Sequence, residues 1–467
     1  MSILHQPKKK SLTSSPLRTL TLVFCLLFVL YIVSLFVTHT LFDHVWSKSL
    51  CTTSFDDVVF GIASSTKGWP KRKNYVQLWW KPQFKGCIFF DKVPDSSNSS
   101  DNIPPVCISK DASHFRYTNK YRGGLRSSIR VARVVSETVA LNHSNVKWYV
   151  FGDDDTIFIP ENLVKTLSKY DHNQWYYIGT NSEVWEHNHW LSHEMAFGGA
   201  GFAMSYPLAK VFAKVFDSCL VRYPHLYSSD VRIYSCLAEL GVLLTHESGF
   251  HQYDVEGDIF GLLAAHPLKP LVSLHHLDHA QPIFPNMTTI QGLQHLFKAV
   301  KLDPARILQQ TVCYDKRYTL TVLISWGYAV QVFDRDVLLP DLLRVQKTFK
   351  RLNHEGTARS NLFMFNTKVL PQDECKRPMT FFVENISSSS DRMSSSYKRS
   401  INESCLESSQ SFLKDVVQIR VFSQKLDLDV LKAPRRQCCD VIASSVGKRL
   451  DVAIRECGEE ELVFMHA

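Results

Sequence analysis

No Gly-x-Gly-x-x-Gly follows the first strand-like run of this 467-residue chain, so a dinucleotide-binding Rossmann fingerprint is not supported. None of the 12 cysteines shows a convincing zinc-knuckle spacing, which leaves disulfides as their default chemistry. No internal repeat is evident, and repeat architectures drop out with it. Excess charge is scarce too. The 53 Lys and Arg against 45 Asp and Glu leave +8, mild for this length and not a nucleic-acid footprint.

What is present bounds the rest. A hydrophobic share of 45% supplies a sizeable core, and the length suits one large or two medium domains. Part of the basic excess sits in an N-terminal tail with Lys8, Lys9, Lys10 and Arg18. The uncharged run Thr19 to Val37 follows directly, and as a helix it would span a bilayer core of roughly 30 Å. It is long for a signal peptide, and its exit, Phe36-Val37-Thr38-His39, has no obvious small-residue cleavage site. An uncleaved single-pass anchor in the lipid bilayer is therefore expected. The basic flank would stay cytoplasmic and the C-terminal bulk lumenal. Five Asn-x-Ser/Thr sites, at Asn98, Asn142, Asn286, Asn385 and Asn402, lie beyond the anchor as usable acceptors, and the cysteines fit an oxidising compartment. The expected divisions are a tail over 1–18, the anchor over 19–37, a stem over 38–54, a catalytic domain over 55–300 and a β-rich accessory region over 301–467.

The first strand reads as Val58 to Ser65, ending in the small residues Ala63, Ser64 and Ser65, which let a ligand approach the backbone. A helix is expected over Lys71 to Trp80 and a second buried strand over Cys87 to Asp91. Arg122 to Leu141 is amphipathic, with Leu125, Ile129, Ala132, Val135 and Val139 at helical spacing. Arg126, Arg130 and Arg133 on it read as a solvated basic face rather than phosphate contacts. Strand, helix, strand, helix, strand suggests a parallel sheet with crossover helices.

The third strand carries the strongest signal. Trp148-Tyr149-Val150-Phe151-Gly152 runs into Asp153-Asp154-Asp155, and apolar residues resume at Ile157. The C-terminal end of such a strand is where an open α/β sheet places ligands. Three adjacent carboxylates repel one another, and burying them unpaired is costly. A divalent cation resolves the conflict, since alternation puts Asp153 and Asp155 on one side and Asp154 on the other. A solvated acidic turn is the bland alternative, and the tight apolar flanks weigh against it.

Downstream, the glycine cluster around Gly198 and Gly199 allows backbone N–H groups to face a ligand, or simply a tight turn. Pro207 opens a helix. Ser228-Ser229-Asp230-Val231-Arg232 opens another, where Asp230 has either a functional or a pure capping role. Gly249 to Tyr253 reads as an exposed turn into a strand. His275, His276 and His279 include an i, i+4 pair, but no Glu completes a zinc motif and prolines crowd it, so they read as ordinary polar or packing histidines. Beyond residue 305 a hairpin is expected around Trp326-Gly327, with strands near Thr380 to Val383 and Val416 to Phe422. Ser387 to Ser400 between them reads as a Ser-rich loop that does not pack.

Taken in order, the Asp153-Asp154-Asp155 strand end, the Phe197-Gly198-Gly199-Ala200-Gly201-Phe202 loop, Asp230 on a helix start and Phe250-His251 resemble Fringe-like glycosyltransferases, the β-1,3-glycosyltransferase family 31. Gly249-Phe250-His251-Gln252-Tyr253-Asp254 and Ala433-Pro434-Arg435-Arg436-Gln437-Cys438-Cys439 look like the signatures of plant Fringe-related proteins long catalogued as a domain of unknown function. The resemblance implies an α/β fold of the GT-A type, a UDP-sugar donor, Mn²⁺, inversion at the anomeric carbon, a glycan or glycoprotein acceptor, and a type II protein of the Golgi. It implies Asp155 as metal ligand, Asp153 and Asp154 on metal or donor, and His251 as a further ligand. Ala63, Ser64, Ser65 and Asp91 would hold uridine, with Gly198 and Gly199 also at the donor, and Asp230 would be the general base. The Fringe-related pattern expects paired acids at the base, whereas Val231 follows Asp230 here. A lumenal carbohydrate-binding or scaffold protein without activity is the alternative on the same fold.

The topology reading has a direct test. In sealed microsomes the C-terminal bulk should resist protease until detergent is added and should shift on glycosidase treatment. Digestion without detergent and no glycan shift would reverse the orientation.

Overall fold

Strands buried on both faces need apolar residues at every position, and Val58–Ala63 and Trp148–Asp153 have them, with burial broken only at the final carboxylate. The computed structural model describes residues 16–51, 53–94, 102–116, 126–352, 361–389, 392–400, 415–427, 429, 434–443 and 448–463. The chain forms two units, Met1–Thr52 and Thr53–Ala467. The first is the helix Pro16–Cys51, within which the 19-residue window Leu20–Thr38 is long and apolar enough to cross a membrane. That is consistent with a type II anchor by length and composition.

In the second unit, a seven-stranded mixed sheet has the Val58–Ala63 strand near its centre. This strand pairs in parallel with Lys85–Phe90 on one side and Trp148–Asp153 on the other. Phe202–Ser205 then adds antiparallel to the Trp148 strand. Alternation divides the side chains. Phe60, Ile62, Trp148 and Val150 enter one core, and Val59, Ala63, Tyr149 and Phe151 enter the other. The helices Arg126–Ala140, Tyr206–Arg222 and Ser229–Glu239 cover the second face.

The Arg126–Ala140 helix is not a solvated basic face. Arg133 is buried and holds Asp217 through Nε at 3.0 Å and Nη2 at 3.2 Å. Arg130 donates to the Ser64 carbonyl at 2.7 Å and the Phe89 carbonyl at 3.3 Å, bracing the strand ends. Guanidinium groups can be buried in this way because several N–H donors are satisfied at once. The Arg126 side chain, and residues 122–125 of the expected helix, lie outside the described residues.

On the first face, an eight-stranded sheet shares the same apolar core as the α/β sheet. It contains the expected hairpin, Leu320–Ser325 with Ala329–Phe333, and the strands Met379–Ser389 and Gln418–Gln424. The Ser-rich stretch corrects the sequence reading. It forms the paired strands Met379–Ser389 and Arg392–Arg399. Met393, Ser395 and Tyr397 alternate inward, so period-two burial of two large side chains outweighs the serine composition. The helix Thr289–Leu302 packs against both the Trp69–Trp79 helix and the Met379–Ser389 strand, with a Thr288–Gln291 capping box at its start.

Four disulfides close among the described residues: Cys87–Cys107, Cys219–Cys236, Cys313–Cys439 and Cys438–Cys457. Adjacent strand positions Cys438 and Cys439 face opposite ways and so take different partners. Asn142, Asn286 and Asn385 are exposed, as glycan acceptors must be, whereas Asn98 and Asn402 lie outside the described residues.

Leu293 is fully buried on the helix that joins the two sheets. Leu293→Ala should cost about 2–5 kcal/mol of unfolding free energy, the range for a core leucine that leaves a cavity. Denaturant titration of the detergent-solubilised protein reads this, and a loss below about 1 kcal/mol would mean that the helix is not a shared core element.

Candidate metal centre and active site

Parallel pairing sets three strand ends side by side. Ala63 lies opposite Phe89 on one neighbour and Asp153 on the other. Ser64, Asp91 and Asp153 therefore share the C-terminal edge, the ligand-binding edge of an open parallel sheet.

Asp153 and Asp155 share a side, but the strand ends at Asp153, and a turn closed by Thr156 N–H on the Asp153 carbonyl at 3.1 Å divides the triplet rather than strand alternation. Asp154 turns away, accepting from Ser64 Oγ at 2.7 Å and Arg72 Nη1 at 3.0 Å. Asp153 and Asp155 turn to the other side, where they meet His275. One ligand atom from each of Asp153, Asp155 and His275 lies within 4.8 Å of the others. Asp155 is buried, with Oδ1 3.2 Å from His275 Nε2 and Oδ2 3.0 Å from Arg72 Nη2. Neither contact has hydrogen-bond geometry, so both oxygens stay without a hydrogen bond. Arg72 and His275 offset the charge of this buried carboxylate by ion pairing, but its hydrogen-bonding capacity is left open, as a metal ligand's would be. Two carboxylate oxygens with one imidazole nitrogen suit a divalent first-row ion, so the residues present fit a metal.

The electrostatics follow from this crowding. Burial, reinforced by Asp155, Asp230 and Asp154, pushes the Asp153 carboxyl up to about 7 against the pull of His275. Burial raises Asp155 as well, but His275 and Arg72 outweigh it and hold that carboxyl well below the usual range. Burial would lower His275, yet Asp155 and Asp153 push its imidazole up to about 9. Arg72 spans three acids, reaching Asp278 Oδ2 at 3.5 Å as well.

His275, which the sequence reading takes as an ordinary polar or packing histidine, is in the cluster, and the expected ligand His251 is not. Ser273–Leu274 pairs antiparallel with Ile157–Phe158, placing the residue after Leu274 beside the residues that precede Ile157. The helical i, i+4 test for zinc was the wrong one, because this segment is strand and turn. The apolar run Leu271-Val272-Ser273-Leu274 before the histidines was the available signal. His251 instead accepts or donates at Glu183 Oε1, 3.1 Å from Nδ1. The Gly249–Tyr253 segment is no exposed turn either: Phe250, His251, Gln252 and Tyr253 are all buried.

Gln252 supports the centre from behind. Its carbonyl lies 3.3 Å from His275 Nδ1, and its Oε1 accepts from Ala200 N–H at 2.7 Å. Gly199 is required by close approach, since a Cβ there would fall 2.0–2.5 Å from His275 ring atoms. Gly198 donates its N–H to Asp230 Oδ1 at 3.1 Å. Helix capping is done by Ser228, whose Oγ accepts from Val231 N–H, so the Asp230 carboxylate is directed across to the glycine loop. Burial pushes Asp230 up to about 6, against the Gly198 and Ser229 hydrogen bonds. Val231 packs with Met195 and Phe197 in an apolar cluster.

Among the remaining expected donor contacts, Asp91 is exposed and accepts from Thr66 N–H at 2.9 Å, and Ser65 Oγ accepts from Gly68 N–H at 3.1 Å. A cavity of about 280 Å³ lies beside Asp91, Ser109 and Arg130.

The family described as "Protein of unknown function, DUF604" matches residues 187–439, more than half of the chain, and the chain belongs to this family. The match includes Gly198, Asp230 and His275, and begins after Asp153–Asp155. No curated protein matches the chain.

The ligand sets diverge in one experiment. His275→Ala should weaken Mn²⁺ binding by roughly tenfold or more, since even outer-shell partners of metal ligands are worth about 10–100-fold. His251→Ala should leave Mn²⁺ affinity unchanged. Manganese titration followed by electron paramagnetic resonance reads both, and the opposite pattern would return the site to His251.

Proposed function

We propose that this member of the DUF604 family is a Golgi type II membrane glycosyltransferase of the GT-A type. It would be inverting and Mn²⁺-dependent, and would transfer a hexose or N-acetylhexosamine from a UDP-sugar to a hydroxyl of a glycan or glycoprotein. The observation that carries the reading is the juxtaposition of Asp153, Asp155 and His275 at a parallel-sheet edge with Asp230 across the Gly198–Gly199 loop. The lumenal placement rests on the apolar Leu20–Thr38 window and the exposed sequons.

Inverting transfer needs a base on one side of the anomeric carbon and a stabilised leaving group on the other. Asp230 is suited to the first task. Burial raises its carboxyl to about 6, close to a working pH, while its bond to Gly198 fixes its direction. It would accept the acceptor hydroxyl proton as that oxygen bonds to the anomeric carbon. The bond from that carbon to the diphosphate oxygen breaks, with its electron pair leaving on UDP. Asp153, Asp155 and His275 would hold the Mn²⁺, whose chemistry when bound would be to offset negative charge developing on the diphosphate leaving group. Arg72 orients Asp154 and Asp155 and helps hold Asp155 ionised, while burial and Asp155 raise the Asp154 carboxyl; Ser64 fixes the second oxygen of Asp154.

One observation favours the alternative, a carbohydrate-binding protein without activity. Arg72 and His275 already compensate Asp155 by ion pairing.

Asp230→Asn decides between them. Asn is nearly isosteric, and Ser228 retains the helix cap, so stability should hardly change. Turnover of a transferase should fall by roughly two to four orders of magnitude, with UDP affinity unchanged. Val231→Asp should destabilise the fold without adding activity, because position 231 is apolar. Transfer rates over a panel of UDP-sugars, with and without Mn²⁺, give the readout. Full turnover in Asp230→Asn sinks the base assignment, and no transfer from any donor by wild type favours the binding protein.

A further inference from the structure

One excursion of the chain has both its ends at the sheet edge that carries the metal centre. The strands Tyr177–Gly179 and Trp148–Asp153 each pair antiparallel with Phe202–Ser205, so they run in the same direction and end at the same edge. Residues 181–196 leave that edge and return to it, where Phe197 N–H donates to the Thr180 carbonyl at 3.0 Å. The next residue, Gly198, meets Asp230. Strand order sets the side. Ser64 and Asp91 follow strands on one side of Trp148–Asp153, and this excursion follows a strand on the other.

Within the excursion, the six-residue helix Trp185–Trp190 is tied down along its inner face. Glu186 pairs with Arg351, His187 Nδ1 lies 2.8 Å from Asp254 Oδ2, and Asn188 exchanges hydrogen bonds with the Ser182 backbone at 2.7 and 3.0 Å. The same Asp254 carboxylate holds His276, the neighbour of His275. Three consecutive tethers fix the helix, and its outer face is aromatic. Trp185 and His189 stack, with ring centroids 4.6 Å apart and planes at 14°, and Trp190 is 67% exposed. Exposed Leu191 and Leu362 extend the surface, and the Leu362 carbonyl accepts from Trp185 N–H at 3.1 Å. Single exposed apolar side chains are ordinary, but a contiguous patch of them marks an interaction surface.

The chemistry of the patch selects its partner. Residues 181–196 contain no Lys or Arg. Of their acids, Glu183 and Glu186 are engaged with His251 and Arg351, and Glu194 is exposed. An anionic sugar or an anionic lipid surface calls for basic side chains, which the excursion does not supply. A neutral pyranose fits. It lays a flat C–H face on an indole or imidazole plane and offers hydroxyls to the ring N–H groups at the rim.

We propose that the surface of Trp185, His189 and Trp190 is a binding platform for a neutral saccharide, the acceptor glycan. Remote sugars of the acceptor stack on these rings, and its reacting end reaches Asp230 beyond Gly198. The role as acceptor rests on the transfer reading, whereas the binding itself does not.

The test uses full-length protein in a detergent without a sugar head group, with EDTA and no nucleotide, so a failed transfer assay has no bearing on it. The protein carries 5-fluorotryptophan, and Trp185→Phe and Trp190→Phe assign the two fluorine resonances. Tetraoses of β-1,3-glucose and of β-1,4-linked glucose, galactose, xylose, mannose and N-acetylglucosamine are titrated in. At least one tetraose should shift the Trp185 or Trp190 resonance. Trp190→Ala should weaken that tetraose about two- to tenfold, the worth of one aromatic contact, and Trp190→Phe should lose less. Thermal stability should hold in both variants, because position 190 is exposed. In a transfer assay Trp190→Ala should raise the acceptor KM far more than it lowers kcat, with UDP affinity as in wild type. No response of either resonance to any tetraose, or equal affinity in wild type and Trp190→Ala, would overturn the proposal. So would a Trp190 shift on moving from detergent into phosphatidylcholine nanodiscs without any response to sugars, which would make the face a membrane contact.

Discussion

Four carboxylates converge on one edge of a parallel sheet, and their mutual repulsion governs what surrounds them. Asp153, Asp154 and Asp155 are consecutive, and Asp230 adds to the field acting on Asp153. Left alone, such a group would protonate or open to water. Each neighbour takes a share of that charge. Ser64 and Arg72 engage Asp154, Arg72 and His275 engage Asp155, and Gly198 N–H engages Asp230. Arg72 comes from the helix after the first strand, His275 from just past the Ser273–Leu274 strand, more than a hundred residues beyond the triplet, and Gly198 from the loop before Phe202–Ser205. The fold is the device that gathers them.

Local pattern made the α/β sheet legible before any coordinates. Uninterrupted apolar runs at Val58 and Trp148 marked strands buried on both faces; Asp153 and Asp155 do fall together, but through a turn at Asp154–Asp155 rather than the period-two alternation expected of an extended chain. What was not legible depended on partners distant in sequence. His275 reaches Asp155 only because Ser273–Leu274 pairs with Ile157–Phe158, two short strands with no strong individual pattern. His251 carries the resemblance to Fringe-like proteins, yet its ring turns to Glu183. A sequence gives the order of residues along a segment, and the side to which each turns is set by what packs behind it.

Composition misled where packing overrode it. The serines of 387–400 read as a loop, but Met393 and Tyr397 anchor a strand through the core they share with Val421. The arginines of the Arg126–Ala140 helix read as a solvated face. Arg133 is buried because Asp217 of the neighbouring helix offers it a carboxylate, and Arg130, half-buried, turns inward to two strand-end carbonyls. In each case a polar side chain enters the interior only where its hydrogen bonds are complete.

The segment from Gly249 to Asp254 connects these observations. Gly249 lies so close to Pro270 that a Cβ there would meet the Pro270 carbonyl oxygen at 2.1 Å, and this contact aligns the segment with the strand that leads to His275. Tyr253 and His276 both adopt left-handed backbone, at φ 48° and 55°, conformations that cost of order 1–3 kcal/mol in non-glycine residues unless the surroundings impose them. Those surroundings are visible. Asp254 takes Ser182 Oγ at 2.6 Å, His187 at 2.8 Å and His276 at 3.0 Å. His276 is thereby fixed next to His275, and Tyr253 lines a cavity of about 770 Å³ on the other side of the segment. One buried carboxylate thus sets the orientation of side chains facing two different spaces. A change that loosened Asp254 would be felt in both.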